Sequence, residues 1–144
     1  MFMRFKMFVF LLLSSITFSG AVYAGEASKE HDHKSPHGGV IQDADGMHAE
    51  FLLDKNGEPK VFLYDKGMKP LERSDLQARL TLKAHDGNQY TRDLKFSKDP
   101  KDGALLEGEP IKGLTDWDTA VVSLKMKDGW KHVRFSPHSD GHGH

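Results

Sequence analysis

The sequence predicts an all-β domain: a single small antiparallel sandwich or barrel of about seven or eight strands. Three observations point to it. Apolar and polar residues alternate in short runs, and Asn-Gly or Asp-Gly pairs stand between the runs. Fourteen glycines and six prolines, spread at strand-length intervals, leave little room for a long helix.

Taken in order, residues 1–24 read as a cleavable export signal. Arg4 and Lys6 supply its positive start, Phe8 to Ile16 its apolar stretch, and Ala21-Val22-Tyr23-Ala24 its small residues before Gly25. The apolar stretch is shorter than the roughly 20 residues that span a bilayer. With no cysteine for a lipid anchor and no twin arginine, the expected product is a periplasmic protein without stable membrane insertion after cleavage. Residues 25–36 (GEASKEHDHKSP) are polar and without periodicity, so they are expected to be a flexible tail, and residues 137–144 (PHSDGHGH) a second one.

The domain between them, residues 37–136, carries the strand pattern. Ala49, Phe51 and Leu53 alternate with His48, Glu50 and Leu52. Val61, Leu63 and Asp65 alternate with Phe62 and Tyr64. The longest run places Leu76, Ala78, Leu80, Leu82 and Ala84 on one face, with Gln77, Arg79, Thr81, Lys83 and His85 on the other. Ala120, Val122, Leu124 and Met126 repeat the pattern, and Val133 and Phe135 continue it after a turn. Asn56-Gly57, Asp86-Gly87-Asn88 and Asp128-Gly129 are the expected hairpin turns. A short helical turn is expected near Leu71–Asp75 or Leu114–Asp118.

Composition narrows the function. The chain has 20 Lys+Arg and 21 Asp+Glu; without the signal, which holds Arg4 and Lys6, the balance is 18 against 21, a formal charge of −3. No clustered basic segment suggests nucleic acid as a partner. No cysteine is present, so thiolate ligands and cysteine chemistry are excluded. All nine histidines lie after residue 30: His31, His33 and His37 crowd the start of the exported chain, and His138, His142 and His144 its end. Imidazole is a common ligand of borderline transition metals, so the expected ligand is Zn(II), Cu(II), Ni(II) or Co(II), its identity open.

The segment from His37 to Leu71 carries the candidate site. His48 and Glu50, two apart on a strand, leave the same face with Cα atoms about 6.6 Å apart. A turn at Asp43-Ala44-Asp45-Gly46 would fold His37 back alongside them. Gly38-Gly39 would allow close backbone approach or positive φ. Two imidazoles and a carboxylate make three ligands, leaving a fourth position for water or a tail histidine. By itself His-x-Glu on a half-exposed strand reads as solvated surface; the histidine-rich approach to His37 favours metal. His85 beside a turn, and His132 beside Trp130 and Arg134, read as exposed and structural.

His37-Gly38-Gly39-Val40, His48-Ala49-Glu50-Phe51, and Val61-Phe62-Leu63-Tyr64-Asp65 with Pro70-Leu71 resemble a periplasmic heavy-metal-binding module. Such modules accompany, or are fused to, the adaptor proteins of cobalt–zinc–cadmium-type efflux systems. The resemblance covers about a quarter of the chain on short, degenerate motifs. It implies a β-rich module that captures metal beside an efflux-system component, with His37, His48 and Glu50 as the matching positions. The long coiled-coil hairpin and lipoyl-like halves of the full adaptors are missing, which speaks against pump assembly and leaves free-standing capture or delivery.

The tail histidines His31, His33, His138, His142 and His144 raise the local ligand concentration, either as a low-affinity buffer or as part of the site. Met47, Met68 and Met126 form no cluster that would favour Cu(I); Met126 is expected in the core and Met68 exposed. No nucleophile elbow, zinc-protease helix or phosphate loop is present, so an enzyme is not expected. The reading from another class is a β-sandwich interaction module of the cell envelope, with incidental surface histidines.

Overall fold

A computed structural model describes residues 34–99 and 103–137. They form eight strands and, among the described residues, no helix: β1 Val40–Asp43, β2 His48–Leu53, β3 Pro59–Tyr64, β4 Gln77–Ala84, β5 Gln89–Asp99, β6 Gly103–Glu107, β7 Trp117–Met126 and β8 Gly129–Phe135. The expected signal segment, most of the N-terminal tail and nearly all of the C-terminal tail lie outside the described residues.

All eight strands join one antiparallel sheet in the order β1-β2-β3-β6-β5-β4-β7-β8. The sheet curls until its edges β1 and β8 approach each other, so it is nearly closed into a barrel, in keeping with the all-β expectation. Lys131 of β8 pairs with Asp45 in the β1–β2 turn and with Asp128 beside its own turn, tying the two sides of the seam.

The alternation seen in the sequence sets the interior. Leu76 and the inward residues of β4 (Ala78, Leu80, Leu82 and Ala84) are all buried, with exposed neighbours between them. Leu80, Leu82, Val122 and Leu124 are fully covered, each contributing about 1.5–3 kcal/mol by leaving water. Phe51 lies among the rings: Trp117 meets it edge-on at a centroid distance of 5.0 Å, and Phe135 lies at 5.6 Å. The hairpin turns fall where the Asn-Gly and Asp-Gly pairs stand. The Asp54 carboxylate accepts from the backbone N–H of Asn56 and Glu58 to brace one of them.

Two local expectations are corrected. The segments Leu71–Asp75 and Leu114–Asp118 hold no helix; each lies beside a single tight turn, with Leu76 N–H donating to Arg73 O and Leu114 N–H to Ile111 O. Both lead directly into a strand, and Gly113 adopts a positive φ of 76° that stops helical propagation. Met68 is half-buried rather than exposed, because β3 is covered on both faces. Val61 and Leu63 point into the barrel, while Phe62 and Tyr64 form a second apolar cluster outside it with Leu105, Leu52 and Met68.

Candidate functional site

The outer face of β1, β2 and β3 carries His48 and Glu50. Their neighbours Ala49 and Phe51 point inward, so strand alternation sends both side chains outward. Across the β2–β3 ladder His48 stands opposite Tyr64, and Glu50 opposite Phe62. On the other side His48 stands opposite Asp43 of β1.

Glu50 is 0% exposed, and it is the only buried charged residue among the described ones. The segment 35–39 lies over it. Oε1 accepts hydrogen bonds from Ser35 Oγ (2.9 Å), His37 N–H (3.0 Å) and Gly39 N–H (2.9 Å). Oε2 accepts from the Tyr64 hydroxyl (2.7 Å) and lies 3.1 Å from His37 Nδ1. Burial by itself would push the carboxyl up; the bonds from Tyr64, Gly39, His37 and Ser35 outweigh it and hold the group below its ordinary value. Glu50 is therefore ionised at neutral pH inside a complete set of donors.

Both glycines of the pair are needed, each for a different reason. Gly38 has φ of +77° and turns the chain over the face. A side chain at Gly39 would bring Cβ to 2.4 Å from the Phe51 carbonyl oxygen and 2.9 Å from Glu50 Cγ. No residue larger than glycine reaches the carboxylate by this path.

This placement fixes the ring of His37. It stacks flat on Phe62, with centroids 3.7 Å apart and planes 7° from parallel, and Nδ1 also lies 2.9 Å from the Tyr64 hydroxyl. An ionised carboxylate only accepts, so Nδ1 bears a proton, and a neutral ring keeps its lone pair on Nε2. His48 repeats the logic. Its Nδ1 lies 2.5 Å from Asp43 Oδ1, which again places the lone pair on Nε2. The two rings are largely covered, with 19% and 12% of their side-chain surface exposed.

The expected trio is thus brought to one face, but with divided roles. His37 joins Glu50, His48 joins Asp43, and both Glu50 oxygens are taken up by protein donors. Among the described residues, no group of three or more His, Asp or Glu side chains converges as a metal cluster. Of the other candidates, His31, His33, His138, His142 and His144 lie outside the described residues. His85 and His132 are exposed, bonding Asp118 and Ser123 as surface residues do. Ser35, placed by composition in the tail, belongs to the folded site. Tyr64, Phe62 and Asp43 complete it; Phe62 and Tyr64 were marked by apolar residues at both alternate positions of β3, whereas nothing local marked Ser35.

Comparison with family models, with characterised proteins and with solved structures found no match.

Proposed function

We propose that this protein binds a transition-metal ion in the periplasm through the face made by β1, β2 and β3, and captures or buffers it for homeostasis, resistance or efflux. The observation that carries the reading is the pair of carboxylate-backed imidazoles. A histidine that ligates metal characteristically gives its other ring N–H to a carboxylate, which orients the ring and makes it a better donor. His37 and His48 both have this partner, and both direct their lone pair to Nε2.

In this reading Glu50 orients His37 rather than ligating the ion. A neutral His₂ pair suits Zn(II), Cu(II), Ni(II) or Co(II), and two ligands alone hold such ions weakly. Completion of the coordination falls to the histidine-rich segments. His33 precedes His37 by four residues and His31 by six, separations that an extended chain can fold back across. His138, His142 and His144 can be recruited at a loop-closure cost that grows slowly with length.

Isothermal titration of Zn(II) and of Cu(II) into the chain from Gly25 onward tests this. One saturable site per chain is expected, with a metal-dependent rise in melting temperature, because the ion binds the folded state. A His37→Ala/His48→Ala variant should lose at least about ten-fold in affinity. A variant with the five tail histidines changed to alanine should bind more weakly yet keep a measurable site. The reading fails if the double variant binds as tightly as the parent.

A further inference from the structure

The opposite side of the barrel carries a face that the metal reading does not use. Outward residues of β5, β4, β7 and β8 align in cross-strand rows. Gln77 faces Lys125, which faces Trp130; Arg79 faces Ser123, which faces His132; Thr81 faces Val121, which faces Arg134. Five exposed cations lie there: Arg79, Lys83, Lys95, Lys125 and Arg134. Asp93 pairs with Arg79 at 2.9 Å, Lys95 stands opposite Glu107 of β6, and Asp118 bonds His85 at the end of the face, so the cations outnumber the carboxylates beside them. The whole chain carries a formal charge of −1, so an excess of cations on this face runs against the protein's overall sign.

Trp130 stands in the same field. It is 50% exposed, and it is the only large apolar side chain so exposed among the described residues. It forms one wall of an open hollow of about 600 Å³. Gln77, Arg79, Asp93, Lys95 and Phe96 also line it. A half-exposed tryptophan among arginines is the composition of an interface anchor rather than of solvated surface.

We propose that this face docks an acidic segment of a partner protein, with an apolar or aromatic side chain of that segment seated against Trp130. Charge complementarity selects the sign of the partner: a face on which cations outnumber carboxylates would repel a basic surface and steer an acidic one. The hollow selects its form. An extended segment can lay one side chain into the hollow against Trp130, whereas a flat lipid surface would rest on its rim. Each exposed ion pair is individually weak and screened by salt, so the tryptophan supplies the anchor and the cations the orientation.

The test is fluorescence anisotropy of a rhodamine-labelled peptide of alternating glutamate and phenylalanine, titrated with the intact protein. A matched peptide with lysine for glutamate and vesicles of phosphatidylglycerol serve as comparison probes. Saturable binding of the acidic peptide alone is expected, weakening as salt rises. Trp130→Ala and Lys95→Glu/Lys125→Glu should each weaken it by about ten-fold or more. Lys55→Glu, in the exposed β2–β3 turn, should not. All of these positions are exposed, and unchanged melting temperatures would show that the variants fold. The proposal is overturned if the acidic peptide does not bind or if both face variants bind it like the parent. It is also overturned if the vesicles capture the protein while the peptide does not, which would assign the face to a membrane. Trp130-dependent self-association on size-exclusion chromatography would assign it to a second copy and overturn the proposal equally.

Discussion

Glu50→Gln separates the two jobs of the buried carboxylate: holding segment 35–39 and setting the tautomer of His37. The amide has nearly the same shape, so no cavity opens. Its oxygen, placed at the Oε1 position, still accepts from Ser35, His37 N–H and Gly39 N–H, because only that placement satisfies three donors. Its NH₂ then falls at the Oε2 position, facing Tyr64 and His37 Nδ1. The tyrosine hydroxyl can rotate to accept, and His37 can accept only by moving its proton to Nε2. The number of hydrogen bonds is almost preserved; their charge assistance is lost. Charge-assisted bonds are roughly twice as strong as neutral ones, so the expected loss of stability is about 1–3 kcal/mol. For a domain of this size with a urea slope of about 1–1.5 kcal/mol/M, the midpoint should fall by about 0.7–3 M at unchanged slope. Nitrogen NMR of the His37 ring should report the proton moving from Nδ1 to Nε2. Metal affinity should fall by about 10–100-fold, as expected for loss of the carboxylate behind a ligating histidine. A midpoint within experimental error of the parent, or an unchanged His37 tautomer, would refute the reasoning. An altered tautomer with unaltered affinity would remove His37 from the metal site while leaving the structural argument intact.

Three further outcomes follow from the same face and core. Gly39→Ala should destabilise by at least about 1–3 kcal/mol through its clash with the Phe51 carbonyl, whereas Gly38→Ala, with open space around it, should cost about 1 kcal/mol for its positive φ alone; paired urea titrations decide. The Glu50 carboxyl is held low in the folded state, so it contributes stability that is present above the unfolded carboxyl value of about 4.3 and lost as pH falls through its lower folded value; melting temperature followed below neutral pH should drop across that window, and more shallowly in Glu50→Gln. Phe51→Ala should cost about 3–5 kcal/mol and shift the emission of Trp117, whose ring meets it edge-on, and unaltered emission with full stability would contradict the packing described.

The barrel was legible because the strands that build it have one wet face. β4 shows why: every second residue from Leu76 to Ala84 is apolar, the intervening ones are polar, and a one-residue slip would expose all five. Strand order was not legible. β3 pairs with β6 and β4 with β7, and those partners are separated by long connections whose residues carry no pairing code. β3 itself misleads in a single-face reading, since Val61 to Tyr64 are all apolar. Such a run signals a strand covered on both sides, and here the second cover is the small cluster under His37.

That second cover explains what the sequence did and did not disclose about the site. His37, His48 and Glu50 were found because spacing on a strand and a glycine pair are local signals. Their division into two imidazole–carboxylate pairs was not, because it depends on register. Asp43 falls opposite His48 only when the β1–β2 turn spans Ala44 to Met47, and Tyr64 reaches Glu50 only when the β2–β3 turn fixes Phe62 opposite it. Glycine at position 39 links these levels. It lets segment 35–39 approach closely enough for two backbone amides and a serine to bind one buried oxygen. A carboxylate so completely occupied is a poor ligand and a firm anchor. The same hydrogen bonds that withdraw Glu50 from an ion hold the Nδ1 side of the His37 ring, so in the proposed function any metal chemistry on this face falls to the imidazoles rather than to Glu50.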